Sequence, residues 1–280
     1  MQTVLEILKK TEGYFAKAGI AAARLDAEWL LAHALGCKRL DLFLQFDRPL
    51  KEAELAPLRE MVKRRARREP LQHIIGHVDF CGLRLTVGSD TLIPRPETEL
   101  LVERIVEKLA SPPPQRIADL GTGSGALALA LASAFPSAGV HAVDASTAAL
   151  EQARANAAAN HLTDRITWHH GDWCAPLDGT FDLIVSNPPY LSQADWEAAE
   201  PEVRLFEPRQ ALVAEDEGCA DLLTILEQAR RHLKPGGLLA LETNIDHHPR
   251  LLAAAAKLGY TDLQAEQDCS GRPRFLFLHT

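Results

Sequence analysis

Asp119-Leu120-Gly121-Thr122-Gly123-Ser124-Gly125-Ala126 follows a short apolar run at 116–120 and opens a helical pattern at 126–134. Glycines at such a turn let the backbone bend sharply and approach a ligand, while the helix start offers free N–H groups. Working outward, apolar runs at 139–143, 165–168, 181–186 and 238–241 read as further strands. Helical patterns at 146–160 and 221–233 lie between them. A final strand at 274–279 is reached from 260–265 through the turn Ser270-Gly271-Arg272-Pro273. This alternation predicts an α/β fold, doubly wound around a mostly parallel seven-stranded sheet.

Upstream of residue 76 the pattern is helical. Val4, Leu8 and Phe15 make one stripe, and Ala27, Leu30, Leu31, Ala34 and Leu35 make a second that ends at Gly36. A third helix fits 51–67, with Leu55, Leu58 and Val62 inward. Three or four such helices predict a small all-α domain over 1–75. The run V-D-F-C-G-L-R-L-T-V at 78–87 alternates about Cys81-Gly82 as a β-hairpin does, giving a connector over 76–91. Leu92-Ile93-Pro94-Arg95-Pro96 is extended and stiffened by proline, and it leads into a helix over 97–110. Ser111-Pro112-Pro113-Pro114 then acts as a spacer, and the ligand-binding domain spans 92–280.

A chain of 280 residues suits one large domain or two of about 150. Apolar residues make up 46% and charged residues 24%, a globular composition. Thirty Lys and Arg against thirty-eight Asp and Glu give a net charge of −8, which argues against coating nucleic acid. No segment reaches the roughly 18 apolar residues of a membrane helix, and the N-terminus lacks a signal-peptide layout. Cys37, Cys81, Cys174, Cys219 and Cys269 are scattered without a C-x-x-C pair, which reads as reduced thiols rather than a zinc knuckle. A soluble cytoplasmic protein is expected.

The glycine run points to a nucleoside-bearing cofactor. With Ala126 it also satisfies G-x-G-x-x-G/A, so NAD fits the glycines alone. Two features favour S-adenosylmethionine. Asp119 precedes the glycines, suited to the ammonium of a methionyl group. Asp172-Trp173 follows the third strand, where an adenine ring finds an acceptor and an aromatic face. Asp144 ends the second strand, where a carboxylate accepts both hydroxyls of a ribose. The candidate cofactor set is therefore Asp119, Gly121, Thr122, Gly123, Ser124, Gly125, Asp144, Asp172 and Trp173.

Asn187-Pro188-Pro189-Tyr190 comes directly after the strand at 181–186, at the carboxyl edge where open α/β sheets bind ligands. An amide or ring-amine nitrogen is a poor nucleophile because its lone pair is delocalised. Asn187 can accept one N–H through its side-chain oxygen, and the Pro188 carbonyl can accept the other. Together they aim the nitrogen at a methyl group and favour the charge that develops on it. Two prolines hold the carbonyl in place, and Tyr190 offers a face to the planar group.

The sequence resembles the release factor glutamine methyltransferases (the HemK/PrmC family) over essentially its whole length. The resemblance rests on Leu92-Ile93-Pro94-Arg95-Pro96-Glu97-Thr98-Glu99, the glycine run, Asp172-Trp173 and Ile184-Val185-Ser186-Asn187-Pro188-Pro189-Tyr190. Glu207-Pro208 with Ala211-Leu212, and Ser270-Gly271-Arg272-Pro273-Arg274-Phe275, also match. It implies a class I S-adenosylmethionine-dependent methyltransferase that modifies the amide nitrogen (N5) of the glutamine in the Gly-Gly-Gln motif of class 1 peptide-chain release factors, leaving S-adenosylhomocysteine. Gly121 to Gly125, Asp144, Trp173 and Asn187 match the family's cofactor contacts, and Asn187 to Tyr190 its substrate motif. Asn187, Pro188 and Tyr190 become the catalytic candidates, and the helical domain a docking unit for the release factor. Arg95 and Glu97 either cover the cofactor, as the resemblance implies, or cap the helix they begin. No metal, nucleic acid or membrane contact is implied, and a monomer is expected. Two stretches depart from the family pattern: Glu242-Thr243-Asn244-Ile245-Asp246-His247, where Glu-x-Gly-x-x-Gln is usual, and the loop at 215–221.

Weaker features are read plainly. Lys63, Arg64, Arg65, Arg67 and Arg68 are taken as a solvated helix end, with Glu60–Arg64 as a supporting pair, ahead of a site for RNA or an acidic partner. His169-His170 and His247-His248 are adjacent pairs, and strand neighbours point to opposite faces, so metal binding is not expected. An adenine-directed or other amide-directed methyltransferase, and a non-catalytic sensor of S-adenosylmethionine, are the competing classes. The sensor would have no use for Asn187.

Overall fold

In a computed structural model describing residues 2–280, contacts divide the chain into two units. One comprises the residues up to 76 together with 200–206, the other 77–199 with 207–280. The first is helical. α1 (Val4–Lys17) starts at Thr3, whose hydroxyl accepts from Glu6 N while Glu6 accepts from Thr3 N, so two orphan donors are satisfied at once. α2 (Ala23–Leu35) stops at Gly36, and α3 (Glu52–Ala66) and α4 (Leu71–Ile75) follow. Val4, Leu8, Phe15, Leu30, Leu31, Leu55 and Leu58 share one core, so the stripes face inward as their spacing predicts. Val62 is only partly buried at its margin.

The basic run ending α3 is a solvated end only in part: Lys63, Arg64 and Arg67 are exposed, whereas Arg65 is buried and Arg68 half-buried. Arg64 pairs with Glu69 rather than Glu60, and Lys63 takes Glu60 at 2.7 Å. Arg65 is buried between Asp26 (2.7 Å) and Glu202 (2.8 Å), and Arg68 reaches Glu202 and Glu200 at 2.6 and 2.7 Å. The partners come from residues 26 and 200–202, far away in the chain, which is why local spacing suggested solvent instead.

In the second unit β1 (His77–Phe80) and β2 (Leu83–Thr86) form an antiparallel hairpin. α5 (Pro96–Lys108) begins on a proline, whose missing N–H is no loss in a first helical turn. Then β3 (Arg116–Leu120), α6 (Ala126–Ala134), β4 (Gly139–Asp144), α7 (Thr147–Ala159), β5 (Ile166–His170) and β6 (Phe181–Ser186) alternate. α8 (Gln193–Ala198), α9 (Pro201–Phe206, grouped with the first unit), α10 (Ala220–His232), β7 (Leu233–Glu242), α11 (His248–Lys257), β8 (Leu263–Gln267) and β9 (Pro273–His279) complete the chain. Seven strands make one sheet in the order β5-β4-β3-β6-β7-β9-β8. The first five pair in parallel, and β9 runs antiparallel to both β7 and β8. The expected doubly wound, mostly parallel seven-stranded sheet is the one observed.

Both faces of the sheet are dry, which explains why its strands read as continuous apolar runs. Ile117, Leu183, Val185, Leu238, Ala240, Phe275 and Phe277 face α5 and α6. The alternating Ala118, Ile184, Leu239, Leu241, Leu276 and Leu278 face α10 and α11. α11 has no counterpart in the sequence reading, because its apolar positions are mostly alanine and its buried residues are His248, Leu251 and Ala255. β7 begins five residues before the expected strand, since a register shift lets Leu233 pair with Phe181 ahead of the Leu238–Leu183 pair. Among the described residues no helix is long and apolar enough to cross a membrane.

Candidate active site

β3 and β6 are neighbours, yet the chain leaves β3 toward β4 and returns to β6 from β5, so the strand order reverses between them. Loops on either side of such a reversal diverge and leave a crevice beyond the carboxyl ends. A cavity of about 550 Å³ lies there, within the size range of small-molecule and cofactor sites. Its lining includes Gly121, Thr122, Gly123, Ser124, Asp144, Asp172, Trp173, Asn187 and Pro189. Asp119, Gly125, Pro188, Tyr190, Arg95 and Glu97 are outside that lining.

The glycine turn is braced from within. The N–H groups of Gly121 and Thr122 both donate to Val143 O at 2.9 Å, and Gly123 N donates to Asp144 Oδ2 at 2.8 Å. These N–H groups therefore shape the loop from within. Asp144 Oδ1 accepts from Ser146 N at 2.8 Å, which fixes the carboxylate at the cavity wall. Gly125 (φ +85°) starts α6 against α7, where an added Cβ would lie 3.1 Å from Ala153 Cβ. Asn156, fully buried on α7, donates to Ser124 O (2.9 Å) and Thr86 O (3.1 Å) and accepts from Thr86 N (2.8 Å). It ties the loop to the hairpin, a contact no local pattern announces.

Asp119 is fully buried behind the turn. Its Oδ2 accepts from Thr122 Oγ1 (2.6 Å) and Ala128 N (3.0 Å), while Oδ1 has no partner among the described residues. Burial pushes its pKa from 3.8 up to about 7. A buried carboxylate oxygen without a donor is a costly arrangement that a cationic ligand relieves. The Trp173 ring lies against Gly121, close enough that a Cβ there would come within 3.3 Å of it. Asp172, exposed, also lines the cavity. Hydroxyl acceptor, aromatic face and unpartnered buried carboxylate oxygen together fit the ribose, adenine and methionyl ammonium of S-adenosylmethionine.

Asn187 lines the same cavity, on the loop that follows β6. Its Nδ2 donates to Thr98 Oγ1 (3.1 Å), and Thr98 Oγ1 donates to Glu242 Oε2 (2.7 Å). Tyr190 OH donates to Glu242 Oε1 (3.2 Å). Burial raises Glu242, opposed by the Thr98 bond, the Arg274 charge and the Tyr190 bond. Burial likewise raises the Tyr190 phenol. Arg274 is aimed by Asp268, which also accepts from Ser270 N (2.8 Å) and Arg272 N (3.1 Å) and so pins the Ser-Gly-Arg-Pro turn. Thr98, Glu242 and Arg274 fall inside conspicuous stretches of sequence, yet only their proximity gives them a role. Arg95 does not reach the cavity: its guanidinium bonds both oxygens of Glu207 at 2.6 and 2.8 Å, joining the start of α5 to the loop after α9. Glu97 is half-buried in the first turn of α5.

A sheet with one reversed strand inserted beside its far edge, and a nucleoside-sized cavity over its reversal point, is the fold of class I S-adenosylmethionine-dependent methyltransferases. A ribosomal protein L11 methylase from Lactobacillus delbrueckii subsp. bulgaricus superposes with a TM-score of 0.50 at 26% identity, over 67% of this chain and 80% of that one. The hMettl16 catalytic domain, solved with an RNA hairpin, shares the fold with a TM-score of 0.59 at 18% identity, over 80% and 81%. The family described as the PrmC N-terminal domain matches residues 6–76, and the methyltransferase small domain matches 96–202. Release factor glutamine methyltransferases from Geobacter sulfurreducens and Chlorobaculum tepidum are 42% and 40% identical to the chain, over 97% and 95% of it and 95% and 93% of their own lengths. The chain belongs to the release factor glutamine methyltransferase family.

Proposed function

We propose that the protein methylates the side-chain amide nitrogen (N5) of the glutamine in the Gly-Gly-Gln motif of class 1 peptide-chain release factors. The observation that carries this reading is Asn187: it lines the same cavity as the glycine turn and Asp144, with its Nδ2 held by Thr98. That leaves Oδ1 to accept an N–H from a ligand. S-adenosylmethionine, when bound, supplies an electrophilic sulfonium methyl. Asp144 would hold its ribose, Trp173 its adenine and Asp119 its ammonium, with Gly121 to Gly125 as the wall between them. Asn187 Oδ1 and the Pro188 carbonyl each accept one N–H of the glutamine amide, turning the nitrogen's lone pair toward the methyl carbon. Both acceptors also favour the positive charge that develops on nitrogen, and the proton leaves after transfer, so no strong base is required. Tyr190, held by Glu242, supports the plane of the amide. The helical unit docks the release factor, and the enzyme works as a cytoplasmic monomer.

The test is transfer of labelled methyl to purified release factors, followed by mass mapping. Label on the glutamine of Gly-Gly-Gln supports the reading, and label only at other positions, or on short DNA or RNA, overturns it.

A further inference from the structure

A side-chain amide has two nearly isosteric ends, one accepting and one donating. Asn187 serves as proposed above only if its oxygen, and not its NH₂ group, faces the glutamine. A flipped Asn187 would meet the substrate N–H with N–H, and the site would repel the group it must hold. Shape alone does not choose between the two orientations; a hydrogen-bond network does.

The chain from Asn187 inward makes that choice. Thr98 Oγ1 carries one hydrogen and lies 2.7 Å from Glu242 Oε2 and 3.1 Å from Asn187 Nδ2. A carboxylate only accepts, so the Thr98 hydrogen points to Glu242, and lone pairs alone remain for Asn187. The NH₂ end of Asn187 must therefore face Thr98. The other oxygen of Glu242 accepts from the Tyr190 hydroxyl at 3.2 Å, so each carboxyl oxygen meets a hydroxyl donor; burial raises the Glu242 carboxyl, and these two bonds and the Arg274 charge oppose that rise. Glu242 is 1% exposed and Thr98 4%, so water does not compete for either bond. The relay crosses three elements: α5 supplies Thr98, the end of β7 supplies Glu242, and the loop after β6 supplies Asn187.

We propose that Glu242 and Thr98 are positioning residues that set the polarity of the Asn187 amide, so that its oxygen is presented to the substrate N–H. The inference rests on the reading of Asn187 as the acceptor. It also gives Glu242, the one residue that the 242–247 stretch keeps from its family's usual pattern, a specific task. Glu242 lies outside the cavity lining, and Thr98, although it reaches that lining, is assigned no contact with the reacting atoms. Each acts through Asn187.

Thr98→Val keeps the shape and removes both bonds, whereas Thr98→Ser keeps them. Four proteins, wild type, Thr98→Val, Thr98→Ser and Asn187→Ala, would be compared in three measurements. These are kcat for methyl transfer to a purified release factor, the Kd for S-adenosylhomocysteine, and hydrogen exchange of the Asn187 side-chain amide by NMR. Thr98→Val is expected to lower kcat by about 10- to 100-fold. Its S-adenosylhomocysteine affinity should stay within about threefold of wild type, since the glycine wall is untouched. Asn187 exchange, slowed in wild type and in Thr98→Ser, should become fast in Thr98→Val, and Thr98→Ser should recover most of kcat. If Asn187→Ala abolishes transfer but Thr98→Val matches wild type, the relay is overturned while the proposed function stands. Thr98→Ser as impaired as Thr98→Val would likewise overturn it, because packing and not the hydroxyl would then matter. If Asn187→Ala itself leaves turnover intact, the reading of Asn187 fails and the relay with it.

Discussion

Replacing Gly218 by alanine should disable the Asn-Pro-Pro-Tyr segment from behind. Gly218 closes the short turn before α10 with φ +88°, where an L-residue costs about 1–2 kcal/mol. A Cβ there would overlap the Tyr190 carbonyl oxygen and lie 2.9 Å from both the Tyr190 carbonyl carbon and His247 Cε1. The His247 ring cannot easily yield, because it is buried and its Nε2 is tied to Glu217 O at 3.0 Å. Just beyond Tyr190, Leu191 N donates to Leu212 O at 2.9 Å and Leu191 O accepts from Ala214 N at 3.1 Å. The strain therefore falls on Tyr190 and the two prolines before it. Overpacking of this kind costs about 1–3 kcal/mol, so the total loss of stability should be ~2–5 kcal/mol. A displacement approaching 1 Å at a positioned acceptor costs on the order of 10²-fold in rate. The assay is kcat for methyl transfer to a purified release factor, alongside S-adenosylhomocysteine binding to confirm that the variant is folded. Cofactor affinity should hold within about threefold while kcat falls by about 10- to 100-fold. A folded Gly218→Ala protein with wild-type kcat would refute the claim that this turn clamps the motif.

Three further outcomes follow from the site and the core. Asn187→Ala should reduce kcat by about 10²- to 10³-fold, the usual cost of one preorganised polar partner, with little change in S-adenosylhomocysteine affinity measured by calorimetry. Asp119, raised to about 7, holds a proton in the folded chain that the unfolded chain releases above 3.8. Its contribution to stability is thus complete below about pH 4 and lost as the pH rises through 7, falling by about 1.4 kcal/mol for each pH unit between those limits. Melting temperatures of Asp119→Asn between pH 4 and 8 should lack that slope, and an unchanged slope would assign it to other groups. Asp26→Asn leaves the buried Arg65 guanidinium with Glu202 as its one carboxylate partner among the described residues and should destabilise the helical unit. Breaking one side of a buried pair costs about 3–5 kcal/mol, and urea unfolding of the variant at its wild-type midpoint would contradict this.

The strand–helix alternation, the glycine turn and the Asn-Pro-Pro-Tyr segment were legible because each is local. A parallel strand buried on both faces is a continuous apolar run, and a tight β–α turn needs glycine at fixed offsets. Alanine-rich α11 was missed because, of its three buried residues His248, Leu251 and Ala255, only Leu251 is a large apolar side chain. Within the basic run on α3, Arg65 and Arg68 departed from the solvated reading because charge spacing within a helix cannot reveal Asp26 and Glu202 waiting from elsewhere.

What the sequence by itself determined is the α/β class; it also marked the candidate site at the carboxyl edge of the sheet and Asn187 as its proposed acceptor. Those follow from periodicities and short motifs whose physics is complete within a few residues. Only the tertiary structure decided how the motifs act on one another. It buried Asp119 behind the glycine turn, gave Arg95 to Glu207, and stacked Asn187, Thr98 and Glu242 into one chain of hydrogen bonds. Thr98 and Glu242 are 144 residues apart, and a hydrogen bond across that distance exists only after α5 and β7 have packed. A motif can name an amide, but the direction in which that amide points is set by groups the chain brings to it from far away.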